Sequence, residues 1–270
     1  MQRELPFWVI LPENYETSKE NYPVLYLLHG LFGSCDNWRE LTKIVDYAAG
    51  RGIAIVMPEG EDGWYTDSAT NSNDRFESYF TIELIPEIEQ RFSLGGTRDK
   101  RGVAGISMGG YGAFKFALKH PDRFFFAGSM SGAFEAPLLT DGADGFVWET
   151  LGPSVTRAFG GENSAERQSG DIFRLVKDLE VDGPELPYFY LDCGAQDGFA
   201  LINRRFADRL KLAQIDYEYH EVPGAHDWNY WNSRLEKVLD IFEEKLTSRT
   251  VKENKTGQQI GQTNKIDVKT

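Results

Sequence analysis

The sequence predicts an α/β fold, a mostly parallel central sheet with helices on both faces and a lid-like insertion. Short apolar, β-rich runs alternate with amphipathic stretches from one end of the chain to the other, the pattern of strand–helix–strand units. The 270 residues are 41% hydrophobic and 13% aromatic, which is enough to bury a substantial core. The length exceeds the usual domain size of ~100–200 residues, but α/β folds often reach ~250 as one unit.

The elements follow in order. Phe7-Trp8-Val9-Ile10-Leu11 opens as a strand, and Val24-Leu25-Tyr26-Leu27-Leu28 is a second with no polar position. Further strands are predicted at 53–57, 102–106, 124–130, 188–192 and 217–222. Helices are predicted at 37–49, 75–92, 110–119, 201–213 and 228–246. The helix 75–92 has a start signal: Asp74 followed by Glu77 reads as a capping box, and Phe76, Tyr79, Phe80, Leu84 and Ile88 share one face, a stripe assigned to the core. Between 133 and 187 the alternation fails, which marks a lid-like excursion too long for an ordinary connection. Its Phe134, Leu138, Leu139, Phe146, Val147, Trp148 and Phe159 are dispersed among glycines and acids, a composition suited to a substrate wall or to a satellite core. The expected organisation is one domain over 1–249 and a flexible polar tail over 250–270.

Composition excludes several functions. Acidic residues outnumber basic ones 42 to 29, a formal charge of −13, so phosphate backbones and anionic lipid surfaces are repelled and no nucleic acid or membrane partner is expected. Two cysteines, Cys35 and Cys193, make neither a disulfide framework nor a four-thiolate zinc site. No apolar run approaches the ~18 residues of a membrane helix, and Met1-Gln2-Arg3-Glu4-Leu5-Pro6 lacks the apolar core of a signal peptide, so a cytoplasmic location is expected. His120 and His220 are isolated, no metal-ligand pattern involves them, and no cofactor is expected.

The chemistry is carried by Gly105-Ile106-Ser107-Met108-Gly109, placed where a predicted strand turns into a predicted helix. This is the G-x-S-x-G pattern, in which small residues flanking the serine let strand and helix approach without Cβ clashes. A serine hydroxyl needs a base, most often histidine. Of the four histidines, His120 reads as a solvent-facing cation at a helix end, His220 as a strand-face residue and His29 as a loop-shaping residue. His226, in Pro223-Gly224-Ala225-His226-Asp227-Trp228 after the last strand, falls at the carboxyl edge where the elbow points. The acid should end an intervening strand, and Asp197 qualifies, with Asp192 as competitor and Asp227 poorly placed. Oxyanion donors are expected from the Met108 amide and from the loop His29-Gly30-Leu31-Phe32-Gly33, Leu31 first and Phe32 next.

These residues resemble the esterase D branch of the α/β-hydrolases, over roughly residues 7–246. The resemblance rests on Tyr22-Pro23-Val24-Leu25-Tyr26-Leu27-Leu28-His29-Gly30-Leu31, Gly63-Trp64-Tyr65-Thr66-Asp67, Glu83-Leu84-Ile85-Pro86, the elbow, Cys193-Gly194 with Asp197, and His226-Asp227-Trp228 with Trp231. It implies a serine esterase acting on a small-molecule ester, carbohydrate-linked in some branches. It also supports Leu31 and Met108 as oxyanion donors. Glutathione-thioester hydrolases tend to follow their histidine with Ser-Tyr, whereas this chain has Asp227-Trp228, closer to the tributyrin and feruloyl esterases. Short acyl or hydroxycinnamoyl esters are therefore the expected substrates, with Trp64, Tyr65 and Trp228 as candidate walls. Acyl transfer proceeds through the same acyl-enzyme. A non-catalytic binding protein would be marked by a lost triad member, and none is lost. Oligomeric state is not legible.

Overall fold

The computed structural model describes residues 1–15, 21–179 and 183–263; the side chains of Phe146 and of residues 250–263 fall outside the described set. Seven strands form one sheet: β1 (Phe7–Ile10), β2 (Val24–Leu28), β3 (Ala54–Pro58), β4 (Arg101–Ile106), β5 (Phe126–Met130), β6 (Tyr188–Gly194) and β7 (Tyr217–Val222). Their order is β1-β3-β2-β4-β5-β6-β7, with β1 antiparallel to β3 and the other pairs parallel. All five residues of β2 are buried, as a central parallel strand covered on both faces requires. Val24, Tyr26 and Leu28 join the core on one face, and Leu25 and Leu27 join the other.

The helices are α1 (Asn37–Leu41), α2 (Ile44–Ala48), α3 (Phe76–Ser78), α4 (Ile85–Phe92), α5 (Met108–Lys119), α6 (Gly145–Phe159), α7 (Ala165–Gly170), α8 (Ile172–Lys177), α9 (Ala200–Leu212) and α10 (Trp228–Thr263). Helix α5 lies against the sheet on the first face, while α2 and α10 cover the second. There Phe242 packs at 5.2 Å from Phe125 and 5.5 Å from Phe126, and truncating such a buried ring costs about 3–5 kcal/mol. Among the described residues no helix is long and apolar enough to cross a membrane.

Several elements differ from the sequence reading. The helix expected at 37–49 is two short helices, because Thr42 is extended and its hydroxyl donates to the Trp38 carbonyl. The helix expected at 75–92 passes through a π-helical turn, Tyr79–Leu84, directly before Pro86, whose missing N–H cannot continue a regular ladder. Its core stripe is buried, but the capping box is absent. Asp74 bonds Arg3 at 2.9 Å, and Glu77 turns inward to Lys115 at 3.0 Å and Lys119 at 2.5 Å. His120 faces that same carboxylate at 3.5 Å rather than solvent. The excursion carries α6, α7 and α8. Its Phe134 and Phe159 are core residues, Leu138 is exposed, and Phe146 lies outside the described side chains. Helix α10 continues to Thr263 where the pattern had ended it at 246, and residues 264–270 of the expected tail are outside the described residues.

Candidate active site

Ser107 stands between β4 and α5 with φ 52° and ψ −117°, a conformation non-glycine residues rarely adopt. The flanking glycines make it possible. A Cβ on Gly105 would lie 2.5 Å from the Gly109 carbonyl carbon, and one on Gly109 would lie 2.4 Å from the Leu28 oxygen and 2.6 Å from the His29 oxygen. These neighbours are backbone and cannot yield, so helix α5 crosses this close to β2 only because both positions lack side chains.

His226 Nε2 is 3.1 Å from Ser107 Oγ, and its Nδ1 is 2.9 Å from Asp197 Oδ2. The loops bearing the histidine and the acid are tied together, since the Gln196 amide donates to the Gly224 carbonyl at 2.9 Å and the Gly224 amide to Gln196 Oε1 at 2.8 Å. The imidazole is packed between Phe199 and Trp231, each ring centroid at 4.9 Å. Burial alone would raise the Asp197 pKa. The hydrogen bond and charge of His226, the Phe199 amide at 2.8 Å and the Ser131 hydroxyl outweigh it and hold the carboxyl below its ordinary value.

The competing acids are occupied elsewhere. Asp192 is fully buried and accepts from Tyr190 at 2.6 Å, Tyr230 at 2.8 Å and Arg234 at 3.0 Å, a network that pins β6 to α10. Asp227 caps α10 by accepting from the Tyr230 amide at 2.9 Å. His29 is buried with Nδ1 2.8 Å from the Gly30 carbonyl and Nε2 3.1 Å from Glu59, so it shapes the loop as expected. His220 lies on β7 beside Glu218.

A cleft of about 630 Å³ opens above Ser107. Leu31 lines it, and the Met108 amide opens α5, where the first N–H groups have no partner within the helix. The alternative donor, Phe32, is excluded because its amide is spent on Asp62 Oδ1 at 2.8 Å. Trp64 and Trp228 line the cleft. Tyr65 does not: it is buried beneath the site, with its hydroxyl on the His29 carbonyl at 3.0 Å. Consecutive positive φ values of 51° at Trp64 and 50° at Tyr65 turn the two rings in different directions, which composition does not reveal. From the excursion, Val147, Thr150 and Leu151 of α6 and Glu135 reach the cleft, and of these the sequence reading had named only Val147. It also missed Glu59 and Asp62. Their position just past the carboxyl end of β3, beside the loop after β2, was the available signal.

Similar proteins have the same architecture. The chain is 30% identical over 229 residues to an acetyl esterase of Caldicellulosiruptor saccharolyticus, covering 83% of this chain and 85% of that one. Among solved structures it resembles the fluorophosphonate-binding serine hydrolase F of Staphylococcus aureus (TM-score 0.76, 29% identity, 89% and 91% of the two chains). It also resembles the S-formylglutathione hydrolase of Staphylococcus aureus (TM-score 0.72, 28% identity, 90% and 92%) and a ferulic acid esterase (TM-score 0.72, 26% identity, 88% and 92%). Residues 1–240 match the family described as "Putative esterase". The chain belongs to this esterase family of the α/β-hydrolase superfamily and is a carboxylic ester hydrolase.

Proposed function

We propose that Ser107 is the nucleophile, His226 the general base and then acid, and Asp197 the residue that orients and charge-stabilises the imidazole. The hydrogen-bonded chain Ser107–His226–Asp197 at the base of the cleft carries this reading. Ser107 Oγ attacks the ester carbonyl as His226 Nε2 takes its proton, and the tetrahedral oxygen is received by the Leu31 and Met108 amides. Collapse returns the proton to the leaving alkoxide and leaves an acyl-serine. Water, deprotonated by the same nitrogen, then releases the acid. The His226 side chain is 31% exposed, which leaves water a path to the acyl-enzyme and supports hydrolysis.

For the substrate we infer a neutral ester with a short acyl or hydroxycinnamoyl group. The walls are Leu31, Trp64, Leu151, Phe199, Trp228 and Trp231, flat and apolar. The acidic residues lining the cleft are Glu135 and Asp197, and no Lys or Arg lines it among the described residues. An anionic glutathione leaving group would meet no cation there, whereas sugar hydroxyls could donate to Glu135 and Asn37. Names of similar proteins support both acyl classes, acetyl and feruloyl. The test is a panel of p-nitrophenyl esters of rising chain length, methyl ferulate, acetylated xylan and S-formylglutathione. Highest kcat/KM is expected on short acyl or feruloyl esters; highest kcat/KM on S-formylglutathione would overturn the substrate reading and leave the triad standing.

A further inference from the structure

We propose that Asp62 is a positioning residue for the oxyanion arm, acting by locking the turn that carries the Leu31 amide. The inference rests on the triad reading above and names a residue outside it. Gly30 to Gly33 form a turn closed by the Gly33 amide on the Gly30 carbonyl at 3.2 Å, with a positive φ of 61° at Phe32 and none at Leu31. This is type II geometry, whose third position ordinarily needs glycine or asparagine. Phenylalanine there is disfavoured, and the residue is 68% exposed, so side-chain packing does little to hold it. The turn passes against the nucleophile: a Cβ on Gly30 would lie 3.4 Å from Ser107 Cβ.

The ends of this loop are secured from the β3 side. Glu59 takes the Cys35 amide at 3.0 Å and faces His29 Nε2 at 3.1 Å, and Tyr65 donates to the His29 carbonyl. At the apex the Phe32 N–H donates to Asp62 Oδ1 at 2.8 Å, a charge-assisted bond. Type I and type II turns differ by a flip of the central peptide, here Leu31–Phe32, which changes ψ of the second residue by about 150°. In the type I form the Phe32 N–H would leave Asp62 and the Leu31 carbonyl would turn toward the carboxylate. Asp62 therefore selects the strained form and tethers the turn one residue from the oxyanion donor; the Leu31 N–H belongs to the preceding Gly30–Leu31 peptide, so what the bond fixes is the position of the turn that carries it.

The experiment is a set of variants read by kcat and KM on p-nitrophenyl acetate. Asp62→Ala should lower kcat by about 10–100-fold with KM within about twofold, a fraction of the loss seen when an oxyanion donor is removed outright. Asp62→Asn keeps an acceptor oxygen and should stay within about threefold of wild type. Phe32→Gly removes the strain that Asp62 offsets, so in that background Asp62→Ala should cost less than about threefold. The proposal is overturned if Asp62→Ala is as active as wild type, if Asp62→Asn is as impaired as Asp62→Ala, or if the loss persists undiminished in the Phe32→Gly background. A Ser107→Ala enzyme that retained turnover would instead overturn the triad itself, so the two failures are separable.

Discussion

Replacing Glu59 by glutamine tests whether the loop above Ser107 is held by a buried carboxylate. The side chain is 10% exposed, faces His29 Nε2 at 3.1 Å, and accepts amides of Cys35 at 3.0 Å, Gly60 at 3.1 Å and Glu61 at 2.7 Å. Burial raises its pKa, but the bond and charge of His29 and these amides overcome it and bring the carboxyl from its ordinary 4.5 to about 2. At about 1.4 kcal/mol per factor of ten in proton affinity, that lowering corresponds to roughly 3 kcal/mol of native-state stability. The sign follows from proton counting. Between pH 4.5 and 2 the unfolded chain binds a proton that the native carboxylate does not, so this contribution is complete above about 4.5 and is lost as pH falls toward 2. Glutamine retains one acceptor oxygen but presents an NH₂ to the remaining donors. Glu59→Gln is therefore expected to lose about 2–3 kcal/mol at pH 7 and to flatten the rise in stability between those pH values. Urea unfolding across pH 2.5–7 measures both. A loss below about 1 kcal/mol, or an unchanged acid slope, would refute the reasoning.

Three further outcomes are expected. Gly109→Ala would drive a methyl to 2.4 Å from the Leu28 oxygen, so it should destabilise by about 3 kcal/mol or more and abolish activity; a wild-type melting temperature would contradict the packing argument. Lys115 is fully buried, with Nζ 2.5 Å from the Tyr65 carbonyl, 2.7 Å from Thr66 Oγ1 and 3.0 Å from Glu77, and burial brings its pKa down to about 8. Lys115→Met should cost about 2–4 kcal/mol in urea unfolding, partly recovered by adding Glu77→Gln, and a neutral single substitution would count against this cluster. Because Asp197 is held below its ordinary pKa, it stays ionised where histidines titrate, so kcat/KM should rise with pH along a one-proton limb; a two-proton slope would contradict the assignment.

What the sequence revealed divides along physical lines. The strands were legible because a strand buried on both faces, such as β2, must be apolar at every position. The elbow was legible because its glycines answer to backbone contacts that admit no other residue. His226 and Asp197 could be nominated from the sequence because the sheet places strand ends at one edge, and Asp192 was separable from Asp197 only by its position inside β6. Helix interruptions were hidden, since a π-helical turn before Pro86 and an extended Thr42 leave the apolar periodicity intact. Also hidden were the supports of the site. Glu59, Asp62 and Lys115 bind backbone groups of loops about 25 to 50 positions away, and such pairings have no period. Glu77 shows the cost of local reading, because its cap-like spacing concealed an ion pair with Lys115 on another helix.

Acylation of Ser107 is the step on which the proposed mechanism turns. Treatment with a fluorophosphonate, followed by intact mass and peptide mapping, should show one adduct on Ser107, absent from Ser107→Ala, with kcat of that variant lowered by roughly 10⁴–10⁶-fold. An adduct on another serine, or a Ser107→Ala enzyme that turns over near the wild-type rate, would contradict it.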